Sequence, residues 1–194
     1  MKHIVIFENF FESPSFGSGA EHDVFYDPLH TDRVFKKTRY ETIEKWYLEL
    51  LKMDSSIFPV VYGEGKDWIS IEKLDTKQAG REYDILDNWL WSLSPKLDLE
   101  EILSQDLSQS NLDIISNLLE NSTIEIKNIW KRWKVCLERY IKIFSKFSDK
   151  WKKYLDTLGI EDLRKMRNTS QPGMDLHRDQ FGYSGSGNLK ILDF

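Results

Sequence analysis

The chain has 194 residues, 40% of them hydrophobic and 13% aromatic, with seven Trp, which excludes a disordered chain and suffices for one large domain or two small ones with a real core. The net charge of −5 argues against nucleic acid as a partner for the surface as a whole. No apolar run reaches the length of a membrane span, and the single Cys136 rules out an internal disulfide or a Cys-based zinc site.

The N-terminal run Ile4-Val-Ile-Phe reads as a short strand. It is too brief for a signal peptide and Glu8 interrupts it, so a cytoplasmic location is expected. Gly17-Ser-Gly19 separates it from a second strand at Val24-Phe-Tyr-Asp. A glycine-flanked turn of this kind is either a plain hairpin turn or a place where backbone N–H groups can approach phosphate without a Cβ in the way. Arg33-Val-Phe-Lys-Lys is a third strand, with Val34 and Lys36 on one face and Phe35 and Lys37 on the other. Thr38-x-x-Glu41 has the pattern of a capping box and predicts a helix beginning near Thr38. Ile43, Trp46, Tyr47, Leu50 and Leu51 give that helix one apolar face. Two more strands are expected at Phe58-Pro-Val-Val-Tyr and Trp68-Ile-Ser-Ile-Glu, separated by turn residues Gly63-Glu-Gly65.

From residue 76 the character changes. Residues 83–93 read as a helix closed by Pro95, residues 99–119 carry a broken helical period, and residues 124–158 form a long helix ended by Gly159. Ile129, Trp133, Cys136, Leu137, Tyr140 and Phe144 make its apolar stripe, so Cys136 reads as a small buried hydrophobe. From Asp98 to Ile126 there are seven acidic residues and no Lys or Arg; from Lys127 to Lys153 there are ten basic residues against Glu138 and Asp149. These are either two solvated helix faces packed on each other or a surface for a partner. A polar loop at 168–173 precedes a hairpin at 181–194. The expected fold class is α+β, with a β-rich domain at 1–75 and a helical one at 76–194 that carries the loop and hairpin 174–194.

The most specific segment is Asp175-Leu-His-x-x-Gln180, followed thirteen residues later by Asp193-Phe194. It resembles the Asp-x-His-x-x-Asn loop and the metal-binding Asp-Phe-Gly segment of the protein-kinase-like superfamily, in particular its aminoglycoside-phosphotransferase-like and other atypical members. The resemblance implies a bilobal fold, β-rich in the N-terminal lobe and mostly helical in a reduced C-terminal lobe, that binds ATP and Mg²⁺. It assigns Asp175 to the attacking hydroxyl as catalytic base, and Gln180 and Asp193 to the metal. Lys36 would contact the α- and β-phosphates, paired with Glu44 on the following helix or with Glu49. Gly17, Ser18 and Gly19 would cover the phosphates, Val34 would lie under the adenine, Ile71 would be the gatekeeper, and Glu72 and Leu74 would offer hinge backbone groups. His177 would brace the loop.

The sequence departs from the family pattern in three places. His22 stands where a third glycine is expected, and Gln180 stands for asparagine, moving the amide oxygen by roughly 1.5 Å. The sequence ends at Phe194, before the glycine and activation segment, so a substrate would meet the 98–123 region and the basic helix, or the protein would work with a partner, and the terminal carboxylate would lie beside Asp193. The function implied is a small atypical ATP-dependent kinase or phosphotransferase, with a protein as one possible substrate or partner. The alternative is a pseudokinase-like module that keeps the fold and docks a protein. Transfer of a nucleotidyl group is a third idea, which no residue selects.

Overall fold

The computed structural model describes residues 17–18, 22–39, 42–43, 45–94, 97–104, 107–155 and 176–192. The expected strand at residues 4–7, and Gly19, Glu44, Asp175 and Asp193 among the candidate site residues, lie outside that set. The fold is α+β, and the chain divides into two compact units. The first comprises residues up to Lys52 together with Pro59–Lys73, the second Met53–Phe58 together with Leu74 onward. Among the described residues no helix is long and apolar enough to cross a membrane.

The first unit is a five-stranded antiparallel sheet made of β1 (Gly17–Ser18), β2 (His22–Tyr26), β3 (Arg33–Thr38), β4 (Val61–Glu64) and β5 (Trp68–Glu72), in the order β1-β2-β3-β5-β4. Helix α1 (Lys45–Leu51) lies between β3 and β4 in the chain. Asp27 starts the β2–β3 turn by accepting the N–H groups of Leu29 and His30 on Oδ1, at 2.8 and 3.2 Å, an Asx turn. In the ladder Tyr26, Val34 and Ile71 stand side by side, and so do Val24, Lys36 and Ile69. The opposite face carries Phe25 beside Phe35, with Trp68 edge-on to Phe35 at 5.7 Å.

Several boundaries differ from expectation: the strand expected at 58–62 is Val61–Glu64, the helix expected at 83–93 runs Thr76–Leu93, and two further readings change in kind. Thr38 does not cap a helix: it is the last residue of β3, pairs with His22, is buried, and donates its N–H to Asp67 O at 2.8 Å. A β-branched residue with ladder partners on offer favours the strand. The helix follows later, and Trp46, Tyr47, Leu50 and Leu51 are its buried face as the spacing predicts. Gly63-Glu-Gly65 is likewise not all turn. β4 runs through Glu64 by way of a register shift between Val61 and Gly63, and the turn begins at Gly65, where a Cβ would come within 2.1 Å of the Trp68 indole.

The second unit is mainly helical: α2 (Thr76–Leu93), α3 (Leu99–Ser104), α4 (Gln109–Leu118), a 3₁₀ turn at Leu119–Asn121, and α5 (Ile124–Leu155). Asp75 caps α2, accepting from the N–H groups of Lys77 and Gln78 at 3.0 and 3.1 Å. Asp98 does the same for α3, and Ser108 for α4. The α5 stripe packs inward as its period predicts: Ile129, Trp133, Cys136, Leu137, Tyr140 and Phe144 are all buried. Burial pushes the Cys136 thiol up to about 12, so it is an inert apolar residue. Lys134 on α5 pairs with Asp113 on α4 at 2.8 Å, which joins the basic and acidic runs at one point.

The hairpin of β6 (Phe181–Tyr183) and β7 (Leu189–Ile191) completes this unit. Gly187 takes φ 81° in its turn, a conformation open to glycine. Tyr183 exchanges two backbone hydrogen bonds with Asp75, and Ile191 N donates to Ile57 O at 2.7 Å. Phe181 packs on Trp133 with ring centroids 4.5 Å apart. A Cβ on Gly182 would meet Leu74 Cβ at 2.6 Å. Gly182→Ala is therefore expected to cost about 1–3 kcal/mol of unfolding free energy by overpacking, read as a lower urea midpoint at unchanged slope; an unchanged midpoint would show that the contact relaxes freely.

Candidate functional site

The candidate residues fall on two separate structures, one in each unit. In the first unit, β3 is the central strand, so Lys36 is not the solvated lysine of an edge. It is 6% exposed, between Val24 and Ile69 on the neighbouring strands. Its Nζ donates to the Tyr47 hydroxyl at 3.0 Å and sits 5.3 Å from the centre of that ring. Burying an ammonium is costly without such partners. His22 stacks on Tyr47, with ring centroids 5.9 Å apart. Val34 and Ile71 are direct cross-strand partners, both buried, on the face that carries Lys36. Sheet register thus gathers Val34, Lys36 and Ile71 into one patch. It adds Val24, Ile69 and Tyr47, which the sequence motifs do not single out.

Gly17 and Ser18 form β1 and pair with Val24 and Asp23, next to that patch. At the end of β5, the N–H of Glu72 donates to Val60 O and that of Lys73 to Asp32 O, at 2.9 and 2.8 Å. The next amide, Leu74 N–H, has no hydrogen-bond partner among the described residues. Glu72 also turns its carboxylate back on Val60 N at 3.3 Å. Glu49, the alternative partner for Lys36, is half-buried on α1.

In the second unit, Leu176 is fully buried and anchors the segment before a 3₁₀ turn at Arg178–Gln180. Gln180 closes the turn on itself. Its N–H donates to His177 O at 3.0 Å, and its Oε1 accepts the His177 N–H at 2.6 Å. Its own carbonyl accepts Leu192 N–H at 2.7 Å and so aligns the end of β7. His177 is half exposed, its Nδ1 3.5 Å from a Glu100 carboxylate oxygen. Arg178 grips Asp84 of α2 with two parallel bonds, Nε to Oδ1 at 2.7 Å and Nη2 to Oδ2 at 2.8 Å. That guanidinium lies over Gly80, where a Cβ would stand 3.1 Å from it. A glycine in mid-helix, otherwise unfavourable, makes the room.

Behind the turn lies a polar cluster that no sequence motif announces. Glu82 of α2 is buried and accepts from Arg132 Nη2 at 2.6 Å, Trp133 Nε1 at 3.1 Å, Gln78 Nε2 at 3.3 Å and the Tyr183 hydroxyl. Arg132 Nε also donates to the Tyr183 hydroxyl at 3.0 Å. Burial, then the bond to Glu82, raises the Tyr183 phenol and keeps it a donor. The one available signal is Glu82 standing at the inward spacing of Ala79, Tyr83, Leu86 and Leu90. Among the described residues no three His, Cys, Asp or Glu side chains cluster as a metal site. Comparison with known proteins brings no relative: no protein-family model, no curated protein and no solved structure matches the chain.

Removing Glu82 strands Arg132, Trp133 and Tyr183 together. Glu82→Ala is expected to cost about 3 kcal/mol in denaturant unfolding; a loss below about 1 kcal/mol would mean water replaces it. The Arg178–Asp84 clamp is more exposed, so Arg178→Ala should cost only about 0.5–1 kcal/mol at neutral pH. The clamp holds the Asp84 carboxyl below its usual value through the Arg178 hydrogen bonds. Its contribution is thus complete above the ordinary aspartate pKa and is lost as pH falls through the lowered one. The stability gap between wild type and variant should close in acid, and a gap independent of pH would contradict this.

Proposed function

We propose that the chain is a kinase-like, ATP-dependent phosphotransferase. The observation that carries this reading is the buried Lys36 on the central strand, beside Val34 and Ile71. An ammonium held among aliphatic side chains attracts phosphate more strongly than one in water. The order of elements supports the same reading: Gly17 and Ser18 on β1, the lysine on β3, a helix before β4, Ile71 on β5, then helices, a capped turn and a hairpin leading to Asp193.

In this proposal the backbone of Gly17, Ser18 and Gly19 meets the phosphates, and Lys36 contacts the α- and β-phosphates. Tyr47 fixes the lysine's direction, and Glu44 or Glu49 balances its charge. Val34 and Ile71 line the base, whose edge takes backbone groups of Glu72 and Leu74; the open Leu74 N–H suits that role. Asp175 orients the attacking hydroxyl and accepts its proton. Mg²⁺ would be held by Gln180 and Asp193 and would neutralise charge on the transferring phosphoryl group. Gln180 Oε1 carries two lone pairs and spends one on His177 N–H, so the donor set fits a hard cation.

That same bond favours the alternative, a pseudokinase-like module that binds a protein partner without transfer. An oxygen committed to closing its own turn is a poorer metal ligand than a free one. One experiment covers both. Calorimetry with Mg²⁺ and ATP is expected to show binding that Lys36→Ala weakens at least roughly tenfold. Asp175→Asn should keep that binding and abolish ATP consumption. Binding with no turnover in wild type selects the module, and no nucleotide binding at all removes both nucleotide roles.

A further inference from the structure

Helix α5 buries its apolar stripe in the core and leaves a second stripe outward. Lys131, Arg139, Lys142, Lys146, Lys150 and Lys153 fall within about 100° of one another around the axis, at 3.6 residues per turn, and all six are exposed. They span roughly 33 Å of helix at 1.5 Å per residue. Lys131, Lys142, Lys146 and Lys153 form no ion pair among the described residues. Of the two acids on this part of the helix, Glu138 is already engaged by Gln109 and by Lys134, at 3.0 and 3.7 Å. Asp149 stands at the edge of the stripe. In a chain of net charge −5, a line of cations of this length is a local field opposite in sign to the whole molecule.

We propose that this stripe is a docking surface for an acidic helical segment of a partner protein. Three features choose that occupant. The cations recur every three or four residues along most of the stripe, the spacing at which a second helix presents Glu or Asp from one face. Five of the six are Lys, point charges suited to carboxylates, and no described side chain of the stripe is an aromatic on which a nucleic-acid base could stack. Insertion into a membrane interface needs an apolar face beside the basic one, and here that face is inside the core. Among the described residues Val135, 47% exposed, is the one aliphatic side chain within the stripe. This surface is independent of the phosphotransfer proposal.

The test uses the full chain and a fluorescein-labelled helical peptide with Glu along one face, long enough to span the stripe. Anisotropy should show binding that weakens at least roughly tenfold between about 50 and about 500 mM salt. The variant Lys142→Glu/Lys146→Glu/Lys153→Glu should lose that binding, with its melting temperature and helical signal showing that it folds. The Gln counterpart at the same positions should lie between it and wild type. A single-stranded oligonucleotide of equal charge and phosphatidylserine vesicles complete the set. Peptide binding that survives charge reversal, tighter binding of oligonucleotide or vesicles, or no binding of the peptide overturns the proposal.

Discussion

The Glu82 carboxylate is the constraint on which the second unit turns. An ionised carboxyl taken out of water costs several kcal/mol, and the cost is met only by donors that arrive from different elements. Arg132 and Trp133 come from α5, Tyr183 from β6, and Gln78 from one turn earlier on α2. These bonds are directional, so they fix the rotation of α5 against α2 and the distance of the hairpin from both. The apolar packing of Trp133 on Phe181 and Tyr83 joins the same three elements. Because Tyr183 also bonds Asp75, the N-cap of α2, the hairpin is tied to both the start and the middle of one helix.

In the first unit the comparable constraint is strand order. Inserting β5 between β3 and β4 makes β3 central, so both of its edges are hydrogen-bonded to neighbouring strands. Lys36 lies between Val24 and Ile69 on those strands and reaches the Tyr47 hydroxyl of α1, and it is buried there. The same insertion sets Ile71 opposite Val34, two residues 37 positions apart in sequence. Tyr47 then matters for its reach, because its hydroxyl extends from α1 to the sheet and meets the ammonium at 3.0 Å.

How far the sequence can be read depends on whether a residue's role is local. The apolar faces of α1 and α5 are legible because the 3.6-residue period is a property of the segment itself, and their predicted residues are buried. Thr38 misleads because the same Ser/Thr-x-x-Glu pattern fits a strand end once His22 offers a ladder partner. Glu82 stands at an inward spacing on its helix, but its cluster is not legible because Arg132, Trp133 and Tyr183 lie about 50 and 100 positions away. Gly80 is equally silent until Arg178 is seen lying on it. Val34 and Lys36 share a face by strand alternation, while only the register shows Ile71 beside them.

Gln180 joins these two kinds of legibility. Judged as a replacement for asparagine it is a defect, since its oxygen stands a methylene too far along. The turn gives it a different logic: glutamine is a preferred residue three positions after a cap, because its length lets the side chain reach back to the cap residue's N–H. The 2.6 Å bond to His177 N–H is that reach, and an asparagine is one methylene short of it. The turn therefore gains rigidity from the side chain that the proposed chemistry needs for metal. A rigid turn presents the second lone pair of that oxygen in one fixed direction, so the displacement of that oxygen is partly offset by a gain in preorganisation. The direction of that lone pair, rather than the length of the side chain, is then what sets the glutamine's value to the proposed phosphotransfer.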